Sequence, residues 1–187
     1  MNRNFPRVII SEEGEKWLDN GQMWMYKNNV VKLDENIENG ALVDIVTTKD
    51  RYLGTGFLSR NSHITVRILS KDTTDTFDRA FFKERIRFAY AFRKTLESKN
   101  ITNCRLIFGE ADQLPGLTVD RYNDILVSQI SSYGLEQRKD MLYEVLLEVL
   151  KMCIRDRLMT MRRFPIFLPV SFTAFNKAAA VTMAVPC

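Results

Sequence analysis

Five short apolar runs separated by turn residues constrain the fold of the first 70 residues. The runs are Arg7–Ile10, Asn29–Lys32, Ala41–Thr47, Tyr52–Leu58 and Ile64–Leu69. Turn sequences rich in Asn and Gly, among them Glu38-Asn39-Gly40, lie between them. Several short strands at this spacing predict a small β-barrel or sandwich. We expect one short helix, over Glu12–Leu18, to be inserted between the strands.

The hydrophobic period becomes helical between Phe77 and Ser98. Large apolar residues recur there at intervals that place them on one face of a helix, which predicts an amphipathic helix. These residues are Phe77, Phe81, Phe88, Phe92 and Leu96. Asp75 or Thr76 is the expected N-cap. The helix also carries a stripe of cations, Arg79, Lys83, Arg87 and Lys94. We interpret this stripe as a solvated face in preference to a phosphate-binding surface.

From Cys104 the pattern returns to strands. We predict strands at Cys104–Phe108, Leu117–Asp120 and Ile125–Ser131, with a hairpin turn at Asn123-Asp124. A helix follows from Leu135 to Leu150. One side of this helix is apolar, and we expect that side to need cover from a neighbouring element.

The net charge does not identify a nucleic-acid surface. The chain has a formal charge of +4 and a pI near 9.0, but residues 1–150 carry a net charge of −1 and residues 151–187 a net charge of +5. The whole excess of positive charge therefore lies in the C-terminal segment. Only local clustering of cations could indicate RNA binding by the first 150 residues.

Two further observations restrict location and cofactors. The N-terminal apolar run is too short for a secretory signal, and no stretch is long enough to span a bilayer, so we expect a cytoplasmic protein without a membrane partner. Cys104, Cys153 and Cys187 include no Cys-x-x-Cys pair, and the single histidine, His63, has no partner histidine. The cysteines and histidine therefore predict no metal site.

No catalytic motif is complete. Gly54-Thr55-Gly56 lacks the third glycine of a dinucleotide-binding loop and lies in a strand, where a bulge or close backbone approach explains it better. The densest carboxylate group is Glu110, Asp112, Asp120 and Asp124. A structural role is favoured for this group, with the first two accepting backbone N–H groups and Asp120 pairing with Arg121 or Arg105. The sequence therefore predicts no catalytic, cofactor-binding or metal-binding residue.

The character of the sequence changes at Lys151. Residues 151–187 contain none of the chain's 8 glycines, and periodicity is lost at the same point. The stretch Met152 to Arg157 resembles a string produced when sequencing-adapter DNA is translated. We favour an artefactual or disordered tail over a genuine basic extension.

The most specific motif runs from Gly109 to Tyr122 and reads GEADQLPGLTVDRY. Its distinctive members are Glu110, Asp112, Pro115, Gly116, Asp120, Arg121 and Tyr122. The run closely resembles a motif of the bacterial class I SAM-dependent ribosomal-RNA methyltransferases, the large-subunit cytosine-C5 enzymes and their close relatives. Val66–Leu69 and the segment around Trp24 also resemble this family, although a His-Pro pair of the family is replaced here by Gln22-Met23. The resemblance covers about residues 5–150.

This resemblance implies a domain organisation. Residues 1–72 would form a PUA-like RNA-binding β-barrel, residues 73–100 a linking amphipathic helix, and residues 101–150 a central β-hairpin and helix domain. Residues 151–187 would be a tail foreign to the family. The fold class expected is mixed α+β, with the family's Rossmann-like methyltransferase domain absent.

The resemblance also implies a function. The chain would be the N-terminal fragment of an enzyme that transfers a methyl group from S-adenosyl-L-methionine (SAM) to a base of 23S-type rRNA, with cytosine C5 as the expected position. Its partner would be ribosomal RNA, and the resemblance allows a homodimeric parent enzyme. SAM would serve the parent enzyme, whereas this chain would bind no cofactor and be inactive.

RNA binding would then be the function of the part present, since PUA-type domains recognise RNA largely through its shape and backbone. The basic candidates are Lys49, Arg51, Arg60 and Arg67, and Trp24 and Tyr52 would be stacking or core residues. One alternative is a stand-alone, non-catalytic RNA-binding adaptor. A weaker alternative is a protein-interaction domain that uses the helix at 135–150.

Overall fold

Two β-sheets and four helices make up the described part of the chain. The structure is a computed structural model that describes residues 5–96, 101–150 and 179–184, the last of these as main chain only. The strands are β1 Arg7–Ile10, β2 Trp24–Tyr26, β3 Val30–Leu33, β4 Leu42–Thr47, β5 Tyr52–Leu58, β6 Ile64–Ser70, β7 Asn103–Phe108, β8 Leu117–Tyr122, β9 Ile125–Ile130 and β10 Ala179–Ala184. The helices are α1 Glu12–Asp19, α2 Arg79–Leu96, α3 Tyr133–Glu136 and α4 Lys139–Leu150.

The first sheet has six strands in the order β2-β6-β5-β4-β1-β3. Its neighbours are antiparallel except for β1 and β4, which pair in parallel. A Cβ on Gly56 would lie 2.1 Å from the carbonyl oxygen of Arg67, so only glycine lets β5 approach β6 this closely. The enclosed core contains Val8, Leu18, Met25, Ile45 and Val66, each fully buried.

The second sheet is a meander in the order β10-β9-β8-β7. One face packs against α2 and α4 and forms a second core with residues such as Ile86, Val119 and Leu146. Phe57 of β5 is fully buried in this second core. A large apolar side chain buried in this way contributes about 1.5–3 kcal/mol relative to exposure. Phe57 therefore helps to hold the first sheet against the second sheet and its helices α2–α4, which we call the second unit.

The buried face of α2 differs from the predicted one. Phe82, Ile86 and Ala89 face the core, whereas Phe88 is 74% exposed and Phe92 is 52% exposed. Spacing alone identified an apolar stripe, but α2 lies between α4 and β7 and buries a neighbouring stripe instead. The predicted N-cap is also wrong, because the carboxylate of Asp78 accepts the Phe81 N–H at 3.0 Å.

The predicted helix over 135–150 is two helices, and its apolar side is already covered. The chain is helical at 133–136 and again at 139–150. Leu142, Val145 and Leu146 of α4 are at most 1% exposed and lie in the second core. The expected cover from a neighbouring element is present, because α2 and the sheet pack against this face. Sequence analysis also missed β2, which has only three residues.

The predicted fold class, mixed α+β with a barrel and with the Rossmann-like domain absent, is wrong. The described residues form a mixed α/β fold with a curled sheet that includes the parallel β1–β4 pair. Sequence pattern does not reveal this pairing, because it depends on a crossover through α1, β2 and β3. The predicted absence is not supported either, since residues 151–178 and 185–187 lie outside the described residues.

The tail prediction for 151–187 falls mostly on residues outside the described ranges and stays a prediction. Within this segment, the main chain of β10 pairs antiparallel with β9, with Ala179 opposite Ile130.

Candidate nucleic-acid interface

Arg51, one of the four cations predicted to bind RNA, is already paired. Its guanidinium donates to Glu15 Oε1 at 2.6 Å and to Asp19 Oδ2 at 2.9 Å. These bonds, that to Asp19 first, raise the pKa of Arg51 above its usual value. Two carboxylates at this distance compete with a phosphate for the same donors.

Lys49 lies in the exposed turn between β4 and β5. Together with Glu12, Glu15, Lys16 and Asp19 it lines a polar depression of about 270 Å³. The three carboxylates there are balanced by Lys16, Lys49 and the Arg51 bonded to two of them. Lys49 is therefore not surrounded by an excess of positive charge that would indicate an RNA contact.

Arg60 has a structural role. Its guanidinium donates to the carbonyl oxygens of Ile37 (2.8 Å from Nε) and Asp34 (2.5 Å), and its own N–H donates to Asn39 Oδ1 at 3.0 Å. These bonds hold the 34–39 loop against the start of the β5–β6 turn. The donors of Arg60 are therefore largely used within the domain.

Arg67 is placed differently, between the two units. Its guanidinium lies over the Trp24 ring, 5.4 Å from the centroid, and its Nη1 is 3.4 Å from Glu110 Oε1. Burial lowers the pKa of Arg67, and the nearby Glu110 opposes that shift. Trp24 Nε1 donates to the same Glu110 oxygen at 2.6 Å. Glu110 of the family-like motif therefore joins β2 and β6 to the second unit.

Three aromatic side chains form a cluster beside this junction, which we call the aromatic cluster: Trp17, Trp24 and Tyr26. Tyr26 lies edge-on to Trp17 with a centroid distance of 6.1 Å and to Trp24 at 6.5 Å. Trp17 is 40% exposed, although it belongs to a short helix packed on the sheet. Lys16, which precedes Trp17 in sequence, and Lys27, which follows Tyr26, are also exposed.

This cluster was only partly foreseen from the sequence. Trp24 was predicted as a stacking or core residue, whereas Trp17 and Tyr26 were missed. Trp24 and Tyr26 are two residues apart in one strand, which places them on the same face, but β2 was itself not recognised. Tyr52, the other predicted aromatic, bonds through its hydroxyl to Thr55 Oγ1 at 2.8 Å and has a structural role.

The remaining motif residues build the loop between β7 and β8. Asp112 is 8% exposed, accepts from Arg93 Nη2 at 2.5 Å and also accepts the Phe108 N–H at 2.7 Å. Pro115 is buried, and Gly116 has φ +86°, a conformation that favours glycine. A Cβ there would also lie 2.9 Å from the Ser132 side chain. This loop is therefore a rigid connection.

The end of the motif lies in β8. Asp120 accepts a two-pronged interaction from Arg105, at 2.8 and 3.1 Å, which is one of the two pairings predicted for it. Arg121 donates to the Asn123 carbonyl oxygen at 2.7 Å, and Tyr122 is 54% exposed. The motif carboxylates Glu110, Asp112 and Asp120 each hold an arginine, which leaves them unsuited to bind the ribose of SAM. These three carboxylates therefore do not fit that cofactor.

Metal binding and membrane insertion find no support in the described ranges. Among those residues, no group of three or more His, Cys, Asp or Glu side chains could hold a metal ion. No helix within 5–96 or 101–150 has the length and apolar character needed to cross a bilayer.

Comparison with known proteins shows similarity to ribosomal RNA methyltransferases. The family model of a PUA-like domain matches residues 8–71. The ribosomal RNA large subunit methyltransferase I of Salmonella arizonae is 35% identical over 154 residues, which is 82% of this chain and 37% of that protein. The chain is homologous to ribosomal RNA large subunit methyltransferase I. The methyltransferase I of Shewanella amazonensis is similarly 36% identical over 148 residues, 79% of this chain and 37% of its own length.

Two solved structures share the fold. One is described as a SAM-dependent methyltransferase from Streptococcus mutans, with a TM-score of 0.69 and 22% identity over 79% of this chain and 38% of that one. The other, a methyltransferase complexed with SAH, has a TM-score of 0.70 and 20% identity over the same shares. Because these neighbours are methyltransferases, the predicted absence of a Rossmann-like domain is not supported.

The matched region is only a part of each relative. The chain spans about 37% of the length of the methyltransferase I proteins described above and 38% of the two solved structures. The names of these proteins do not support the homodimer that the resemblance allowed for the parent enzyme.

Proposed function

We propose that this chain is the RNA-binding part of a SAM-dependent rRNA methyltransferase. Homology to methyltransferase I and the PUA-like domain support this assignment. The target in the proposal is a base of 23S-type rRNA, with cytosine C5 as the methylated position, and the protein works in the cytoplasm. The described residues supply substrate binding, whereas methyl transfer is not carried out by them.

The observation that carries the RNA-binding role is the aromatic cluster of Trp17, Trp24 and Tyr26. Aromatic rings beside exposed cations suit unpaired nucleotides, because bases stack on the rings and the cations meet the phosphates. Lys16 and Lys27 are exposed and are the sequence neighbours of Trp17 and Tyr26. In contrast, the cations predicted from sequence, Arg51 above all, are occupied by carboxylates or carbonyl groups of the chain.

The proposal is tested by titrating a labelled single-stranded oligoribonucleotide into the full chain. Trp17→Ala should weaken binding by about tenfold, as expected for loss of one stacked base. Arg51→Ala is the matched control and should leave affinity nearly unchanged. The logarithm of the affinity should fall linearly with the logarithm of the salt concentration. Absence of measurable RNA affinity would overturn the proposal.

The cofactor part of the proposal has a separate test. SAM serves the parent enzyme, and the motif carboxylates Glu110, Asp112 and Asp120 are held in ion pairs. Calorimetry should therefore detect no SAM binding to the purified chain. Micromolar affinity for SAM would show that the chain itself contains a cofactor site.

One observation favours the second candidate, a stand-alone RNA-binding adaptor. The buried apolar residues of α4 are at most 9% exposed, so the described residues form a core that needs no further element at that face. Sequencing the gene beyond codon 187 separates the candidates. An in-frame strand-loop-helix rich in glycine supports the enzyme, whereas an authentic stop codon supports the adaptor.

A further inference from the structure

The outer face of the four-stranded sheet is the face of β7, β8 and β9 that points away from α2 and α4. Along β8 the residues Leu117 and Val119 are fully buried against the helices, whereas the alternating Thr118 and Asp120 are partly exposed. Strand register then assigns the cross-strand partners to the same outer side. These are Gln129 opposite Thr118, Val127 opposite Asp120, and Ile125 opposite Tyr122.

Two aromatic rings stand on or beside this outer face. Tyr122 is 54% exposed, and Phe108 at the end of β7 is 55% exposed. Arg105 lies over the Phe108 ring, 5.3 Å from its centroid, and both prongs of its guanidinium are held by Asp120. The guanidinium of Arg105 is planar and held in place, and the rings of Phe108 and Tyr122 are exposed. Flat ligands such as bases can stack on groups of this kind.

The loop that follows Phe108 contacts the aromatic cluster of the PUA-like domain. Glu110 follows Phe108 by two residues, and its carboxylate accepts from Trp24 and Arg67. The end of the outer face at Phe108 is therefore linked to the aromatic cluster through Glu110.

The composition of the outer face favours a nucleic acid over a second protein. Its apolar residues alternate with Thr118, Asp120, Arg105 and Gln129, whereas a stable protein interface needs a central apolar core. The hydroxyl of Thr118 and the amide of Gln129 provide hydrogen-bond donors and acceptors for base edges. A sheet backed by helices on one face and carrying aromatics on the other suits single-stranded RNA.

We propose that the outer face binds a single-stranded RNA segment, with bases stacked on Phe108 and Tyr122 beside Arg105. This rests on the proposed RNA-binding function and extends it to a second surface. An RNA that reaches both surfaces is bound more tightly than one that reaches only the aromatic cluster, because the second contact is intramolecular.

The test uses the full chain with labelled oligouridine of two lengths, one short and one long enough to reach both surfaces, and a duplex RNA. Phe108→Ala and Tyr122→Ala should each weaken binding of the long oligonucleotide by about tenfold. Affinity for the short oligonucleotide and the duplex should change little. Phe88→Ala is the matched control, since Phe88 is an equally large aromatic that is 74% exposed on α2. Tyr122→Phe should retain binding, because stacking requires only the ring.

The outcomes are distinguishable. If Trp17→Ala weakens binding while Phe108→Ala and Tyr122→Ala do not, the outer-face proposal is overturned and the proposed function stands. If no variant and no wild-type chain binds RNA, both fail. If the two substitutions instead convert a dimer to a monomer in light scattering without changing RNA affinity, the face is a protein interface and the proposal is wrong. Thermal melts that match wild type confirm that the variants are folded.

Discussion

Trp24 donates its indole N–H to the carboxylate of Glu110 at 2.6 Å, across 86 residues of sequence. The same oxygen lies 3.4 Å from Arg67 Nη1, and the Arg67 side chain is only 12% exposed. One carboxylate therefore satisfies two donors of the PUA-like domain from a loop of the second unit. Because a buried donor without a partner is costly, this contact helps to fix the arrangement of the two units.

Removing this carboxylate should destabilise the protein. Glu110→Ala leaves the Arg67 guanidinium and the Trp24 N–H without their acceptor, and we expect a loss of about 1.5–3 kcal/mol in the free energy of unfolding. Urea denaturation measures it. Glu84→Ala is the control, because Glu84 pairs with Arg87 at the surface and such pairs contribute little. Equal urea midpoints for the two variants would contradict the junction role of Glu110.

The Arg93–Asp112 pair should be more sensitive than the Arg105–Asp120 pair. The side chains of Arg93 and Asp112 are 14% and 8% exposed, whereas Arg105 is 49% exposed. Asp112→Ala leaves the nearly buried guanidinium of Arg93 without its carboxylate partner and should lower the free energy of unfolding by about 3–5 kcal/mol. Asp120→Ala should cost less than about 1 kcal/mol. Chemical denaturation of both variants tests this order, and a larger loss for Asp120→Ala would refute it.

Gly134 should tolerate no side chain. A Cβ at this position would lie 2.3 Å from the ring of Phe57, which is fully buried. Gly134→Ala should therefore destabilise by about 1–3 kcal/mol or more through overpacking. When the ring is first removed by Phe57→Leu, adding Gly134→Ala should cost less unfolding free energy than it costs in the wild-type protein. A double-mutant cycle of unfolding free energies measures the coupling.

Gly21→Ala is the matched glycine control. Gly21 has φ +88°, but a Cβ there would meet nothing within 4 Å. Only backbone strain of about 1–2 kcal/mol is expected. If both alanine variants melt alike and the double variant shows no coupling, the close contact with Phe57 does not limit stability.

The N-cap of α2 should make stability depend on acid pH. The Asp78 carboxylate accepts the Phe81 N–H and the Thr76 hydroxyl, which lowers the pKa of Asp78 below its usual 3.8. A lowered folded-state pKa gives stabilisation that is fully present above about pH 4 and is lost as the pH falls through the folded value. The melting temperature of the wild type should therefore exceed that of Asp78→Ala at pH 7, and the difference between the two melting temperatures should narrow below pH 4. A difference that does not depend on pH would exclude the carboxylate as its source.

Local features of the fold followed from the sequence where the signal was itself local. The bounds of β1 and β5 agree with the predicted runs, because alternating apolar residues and flanking turns specify a strand within a few positions. Arg105 was one of two partners predicted for Asp120, and the register of β7 against β8, which places these two residues opposite each other, decided between them.

The buried side of α2 was not within reach of the sequence. Two adjacent apolar stripes compete on this helix, and the helical period does not say which one meets α4 and β7. Similarly, Arg51 was predicted to bind RNA from its charge alone. The carboxylates of α1 that occupy its guanidinium lie more than thirty residues away in sequence, so the sequence did not show that they face it.

By itself, the sequence determined most of the strands, the positions of α1 and α2, the change of character at Lys151 and the motif from Gly109 to Tyr122 that connects the chain to its homologues. These are local properties of side-chain period and residue type. Only the tertiary structure decided that Glu110 joins Trp24 and Arg67, that Phe57 belongs to the second core and that Trp17 and Tyr26 form one cluster. The reason is physical: such contacts depend on which surfaces pack together, and packing depends on the whole chain.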